Sequence, residues 1–128
     1  MNTYNTMTKI HVWAGITSQN KHDFTRYFEI NHADRDTGIG ASQFDKDIHI
    51  KWYDDDLIGV YYSSETELDT ALDELPTSQN SLTSIREKCL ELGVTEANAL
   101  FYYEDAELSI TEPNKKYNEL TYIGVFDN

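Results

Sequence analysis

Three short apolar runs limit what this chain can fold into: KIHVWAGI at Lys9–Ile16, ANALFYY at Ala97–Tyr103 and LTYIGVF at Leu120–Phe126. Each has the length of a strand and is rich in β-branched or aromatic residues. In the first, Ile10, Val12 and Ala14 alternate with His11 and Trp13, the period of two that a strand imposes. Leu57–Tyr62 reads as another strand, paired with Asp47–Trp52, and Asp54, Asp55 and Asp56 fall at the turn between them. Glu107–Ile110 carries a weaker signal for a short strand.

Helix signals lie between these runs. Asn20 can cap a helix, with Asp23 as its reciprocal partner and Phe24, Tyr27 and Phe28 on one face. Asn31–Ser42 is rich in turn formers and reads as a loop. Ser64 and Glu67 predict a capping box opening a helix with Leu68, Ala71, Leu72 and Leu75 inward, which Pro76 stops. A further helix is predicted from Ser81 towards Leu92, burying Leu82, Ile85, Cys89 and Leu92, with Gly93 at the left-handed cap. This order predicts one α+β domain over residues 1–128, a mostly antiparallel sheet of about five strands with about three helices packed on it. Strand order does not follow from these patterns.

Charge narrows the function. Ten basic and 23 acidic residues leave a net charge of −13, which repels nucleic acid and anionic membrane surfaces and attracts a basic partner. From Glu65 to Glu112 twelve acids face only Arg86 and Lys88, while the first sixty-four residues hold nine acids and six bases. No apolar segment has the length to span a bilayer. The lone Cys89 suits a reducing compartment, and MNTYNTMTKI has neither the basic head nor the apolar run of a secretory signal. The expectation is a cytoplasmic protein.

Catalytic and metal motifs find little support. DRDTG at Asp34–Gly38 has its glycine at position 5 of a would-be calcium loop, where the EF-hand needs it at position 6. His11, His22, His32 and His49 show no zinc-ligand spacing, and Cys89 falls on an apolar stripe. Phosphate-binding glycine loops are absent. A carboxylate pair of the kind hydrolases use can be drawn from so many acids, but no spacing singles one out. The chain is therefore expected to have no catalytic residues, cofactor or metal.

The candidate site is FDKDIHIKWYDDD, Phe44–Asp56, with five aspartates in thirteen residues. Asp54, Asp55 and Asp56, next to Trp52 and Tyr53, fit a surface that meets a basic protein, since tyrosine and tryptophan are favoured interface anchors and carboxylates steer a cationic partner. Asp45 and Asp47 are read either as part of that surface or as braces for the loop. Aspartate also favours turns without any further role.

HVWAGI, ASQFDKDIHIKWYDDDLIGVYY and LGVTEANALFYY together resemble the immunity protein 22 family of bacterial polymorphic-toxin systems. The likeness runs from Ile10 to Tyr103 and is carried most specifically by Trp13, Gly15, Ser42–Gln43–Phe44, Asp47, Tyr53–Asp54 and Asn98. Gly59 stands where an acidic residue is expected in many relatives. The resemblance implies a non-enzymatic cytoplasmic antitoxin that binds the C-terminal domain of one cognate toxin, as in contact-dependent growth inhibition. Such toxins are often nucleases with basic clefts. Two other readings remain at this point: a small hydrolase using a carboxylate pair, and an acidic interaction module that mimics nucleic acid.

Overall fold

The computed structural model describes residues 9–30, 42–51 and 53–127. Its five strands are β1 (Lys9–Gly15), β2 (Ile58–Tyr62), β3 (Ala99–Tyr103), β4 (Lys116–Tyr117) and β5 (Leu120–Asp127). They form one sheet in the order β2-β3-β1-β5-β4, and every neighbouring pair is antiparallel. Four helices complete the described fold: α1 (Lys21–Arg26), α2 (Gln43–Ile48), α3 (Leu68–Leu72) and α4 (Gln79–Glu91). The α+β expectation holds, with one helix more than expected.

β1 is central and buried on both faces. Ile10, Val12 and Ala14 join Leu68, Leu72, Ile85 and Cys89 in an aliphatic core under α3 and α4. Trp13 points the other way, into an aromatic core with Phe24, Phe28, Phe44 and Phe101. The period of two thus sorts one strand's side chains into two chemically different cores. Ile123 is the extra residue where β5 bulges against Val12 and Trp13, which sharpens the twist there.

The largest difference from the sequence expectation is at Asp47–Trp52, which does not form the predicted strand. The chain is helical over Gln43–Ile48 instead, and Trp52 lies outside the described residues. The Asp47–Ile50 alternation suggests a strand, but two helical signals outweigh it. Ser42 and Asp45 form a complete capping box, each side chain bonding the other's backbone N–H at 3.1 Å. Phe44 and Ile48, four apart, share one buried face. His49 ends the helix in the left-handed conformation, φ 64°.

Other boundaries shift by less than a turn or so. The expected capping box at Ser64 is absent: α3 starts after Glu67, which makes no side-chain cap and pairs with Glu96 as an isolated bridge. Ser78 caps α4 by accepting from the Ser81 N–H, one turn before the expected start. Gly93 does take the left-handed cap, φ 83°, but Leu92 leaves the helix axis and is exposed rather than buried. Glu107–Ile110 forms no strand, and the short strand is β4. β4 and β5 are joined by Asn118 and Glu119, both at positive φ (54° and 73°), the signature of a two-residue type I′ hairpin.

Candidate functional site

Asp54, Asp55 and Asp56 form an exposed turn leading into β2. The Asp54 carboxylate accepts from the Asp56 N–H at 3.0 Å, and its carbonyl accepts from the Leu57 N–H at 3.0 Å, an Asx turn that aspartate favours. The Asp54 N–H donates to the Tyr103 hydroxyl at 2.8 Å, tying the turn to the end of β3. One oxygen from each carboxylate lies within 4.8 Å of the others. Among the described residues, no lysine or arginine pairs with any of the three. Three like charges held together in water attract a cationic group on an approaching molecule.

The other candidates fall behind this turn. Tyr53 is 4% exposed; its hydroxyl donates to the Phe28 carbonyl and its ring meets Phe44 edge-on at 5.4 Å. It anchors the turn from beneath and presents no ring to a partner. Asp45 is fully buried in the capping box of α2, so it holds the helix start and is withdrawn from the surface. Asp47 is half-buried, accepting from the Tyr27 hydroxyl at 2.5 Å and Gln43 Nε2 at 3.0 Å, with Lys115 Nζ 3.9 Å away. Burial, together with Asp47, pushes the Tyr27 hydroxyl far above its ordinary pKa, so it stays a donor. Asp45 and Asp47 therefore act as braces.

Most of the aromatic content is spent inside. Trp13 stacks on Phe101 at 4.7 Å, and Phe24, Phe28, Phe44 and Tyr117 are buried with it. Tyr102 covers Gly59: a Cβ there would meet its ring at 2.2 Å. An acidic side chain at that position would have to displace the ring, which accounts for glycine in this chain.

Cys89 is buried and its thiol is pushed up to about 11 by desolvation, so it packs rather than reacts. His11 is buried between Tyr122 and Asp105. Its Nε2 lies 3.2 Å from the Asp105 carbonyl, which can only accept, so Nε2 carries the proton and Nδ1 accepts from the Tyr122 hydroxyl at 2.8 Å. Desolvation lowers its pKa, so the folded chain holds it neutral. Below the ordinary value of about 6.5 the unfolded chain takes up a proton that the folded chain refuses. This contribution is complete above that pH and is lost as pH falls towards the lowered folded value. Wild type is expected to lose melting temperature more steeply than His11→Gln between neutral and mildly acidic pH. Parallel melting curves would show that His11 takes up its proton equally in the folded and the unfolded chain.

Sequence reasoning missed a groove of about 300 Å³ at the other end of the sheet, lined by residues including Ile16, Leu92, Glu96 and Glu119. Neither the run ending at Ile16 nor the stripe ending at Leu92 signals exposure, because both continue apolar patterns that are buried elsewhere.

Among the described residues no helix is long and apolar enough to cross a membrane. No curated protein and no solved structure matches the chain. The family model described as Immunity protein 22 matches residues 10–128, nearly the whole chain and all of the sheet but the first residue of β1. The match supports a toxin-neutralising immunity role for the chain. The chain belongs to the immunity protein 22 family.

Proposed function

We propose that this chain is a cytoplasmic antitoxin that binds the C-terminal domain of a cognate toxin, a basic nuclease, and neutralises it through its acidic surface without catalysis. The observation that carries this reading is the exposed Asp54–Asp56 turn on a chain of net charge −13. A nuclease must grip phosphate, so its cleft is cationic, and a fixed cluster of carboxylates is complementary to it. Tyr53 and Tyr103 hold the turn from the core side, which lowers the ordering cost on binding.

Co-expression with the C-terminal domain of the cognate toxin tests the reading. Growth should be rescued and the toxin recovered intact in a complex. Continued killing, with both proteins folded and present, would contradict it.

His49 and Glu112 pair at 2.7 Å on the surface, with Lys115 3.1 Å from the same carboxylate oxygen, a cluster that resembles acid–base machinery. The hydrogen bonds from His49 and Lys115 lower the Glu112 pKa, in keeping with an ion-pair network. His49→Ala is expected to neutralise toxin as wild type does. A folded His49→Ala chain that binds toxin and fails to protect would restore the hydrolase reading.

A further inference from the structure

The groove at the far end of the sheet is built more rigidly than a surface depression requires. Register places the Asp54–Asp56 turn at the Ile58–Tyr103–His11 end, and the groove at the Tyr62–Ala99–Gly15 end, about 13 Å away along the strands. Ile16, 49% exposed, and Leu92, 44% exposed, both line the groove.

The backbone that presents Ile16 is locked on both sides. Asn98 Oδ1 accepts from the Thr17 N–H at 2.9 Å, and Asn98 Nδ2 donates to the Thr17 carbonyl at 3.0 Å. The Asn98 N–H donates to the Gly15 carbonyl at 3.1 Å. The Glu119 carboxylate accepts from the Thr17 hydroxyl at 2.6 Å and the Ser18 N–H at 2.8 Å. Glu119 does this from φ 73°, a conformation disfavoured for a residue with a Cβ and one where a hairpin normally uses glycine. Glu119, in the β4–β5 hairpin, thus takes a disfavoured backbone conformation while its carboxylate holds the segment just after Ile16.

The rim is acidic. Glu96 and Glu119 line the groove, and Glu67 and Asp69 line the adjoining depression, which shares Thr95 and Glu96 with it and exposes Leu90. Of the two cations there, Arg86 Nε bonds Asp69 at 2.8 Å, while Lys116, which also lines the groove, donates to the neutral Thr121 hydroxyl at 2.7 Å; the four carboxylates still outnumber the two cations. Among the described residues Glu67 and Glu96 have no ion-pair partner. A second copy of this chain would bring the same acidic rim and another −13, and like charges facing each other oppose docking.

We infer that this groove is a docking site for the toxin domain and takes an apolar side chain flanked by lysine or arginine. The inference rests on the antitoxin reading and adds a division of labour. The aspartate turn supplies the steering and the salt-sensitive part of the hold, while the groove retains the partner through a preorganised apolar contact that salt does not screen.

The test uses the C-terminal domain of the cognate toxin, produced as the complex and then separated. Its binding to wild type, to Ile16→Ser/Leu92→Ser and to Glu96→Lys is followed by surface plasmon resonance, with melting curves confirming folding. The double variant is expected to bind about 30-fold more weakly or worse, as loss of two buried aliphatic contacts implies. The loss should lie in dissociation and change little with salt. Glu96→Lys should also weaken binding, and it decides the matter if the double variant does not fold. Folded variants that bind within about twofold of wild type would overturn the groove while leaving the antitoxin reading intact. Sedimentation showing a wild-type dimer that the double variant breaks would give the groove to a second copy and overturn the inference. A wild-type chain that fails to bind the toxin overturns the antitoxin reading itself, and the groove with it.

Discussion

Trp13→Ala is expected to lose about 3–5 kcal/mol of stability, the usual cost of truncating a fully buried tryptophan. The indole is 0% exposed on the central strand, inside the aromatic core. Phe101 stacks on it at 4.7 Å, Phe44 meets it edge-on at 5.6 Å, and Tyr122 lies tilted at 5.2 Å. These rings come from β3, α2 and β5, so one cavity would loosen three elements at once. The Trp13 N–H is buried without a hydrogen-bond partner among the described residues, and burying such a group has a cost of its own. Trp13→Phe removes that group and keeps most of the apolar volume, so it should lose less than half as much as the alanine variant. The check is chemical denaturation of the three proteins. An alanine variant within about 1 kcal/mol of wild type would mean that the aromatic core does not hold the sheet.

Neutralising the aspartate turn is expected to have the second large effect, on binding rather than folding. Asp54→Asn, Asp55→Asn and Asp56→Asn, singly and together, should leave melting temperature nearly unchanged, because all three side chains are exposed. The triple variant should associate with the toxin domain more slowly, since steering lifts association from about 10⁵–10⁶ to 10⁸ M⁻¹s⁻¹ or more at low salt. Added salt should slow wild type strongly and the triple variant less, because ions screen the charges that were removed. Any aspartate fully desolvated against a toxin lysine or arginine should in addition speed dissociation when changed, at a cost of about 2–5 kcal/mol. Asp54 is the best-held of the three, through its bonds to Asp56, Leu57 and Tyr103, so its single variant should show the largest dissociation effect. Wild-type rates for all four variants at both salt levels would remove the turn from the interface.

Much of the fold was legible because local pattern and tertiary burial agree. β1, β3 and β5 announce themselves as strand-length apolar runs, α1 by the Asn20 cap, and the end of α4 by Gly93. α2 was misread because Asp47–Ile50 alternates like a strand. Only the pairing of Ser42 with Asp45 and the shared burial of Phe44 and Ile48 resolve it. The β4–β5 hairpin escaped because its turn is Asn118–Glu119, with no glycine to mark two positive φ angles. Strand order depends on pairings between residues as distant as His11 and Val125, which no local pattern encodes.

Legibility of the candidate site divides along the same line. Three consecutive aspartates before a strand mark an exposed turn, and the structure has one at Asp54–Asp56. Burial separates their neighbours: Tyr53 and Asp45 carry the residue types of an interface, yet both serve the interior. The groove escaped because Ile16 and Leu92 complete apolar patterns whose other members are buried. Both stand where those patterns end, next to Gly15 at the end of β1 and Gly93 after α4, each glycine at positive φ.

Titrating this chain into a fixed amount of active toxin domain and measuring the remaining toxin activity tests the central claim most directly. An antitoxin that works by occupying its partner should lower activity in a straight line, reaching zero at one equivalent. The toxin should remain intact and regain activity when the complex is separated. Activity that persists well beyond one equivalent, or that disappears at a small fraction of an equivalent with the toxin chemically altered, would contradict stoichiometric neutralisation.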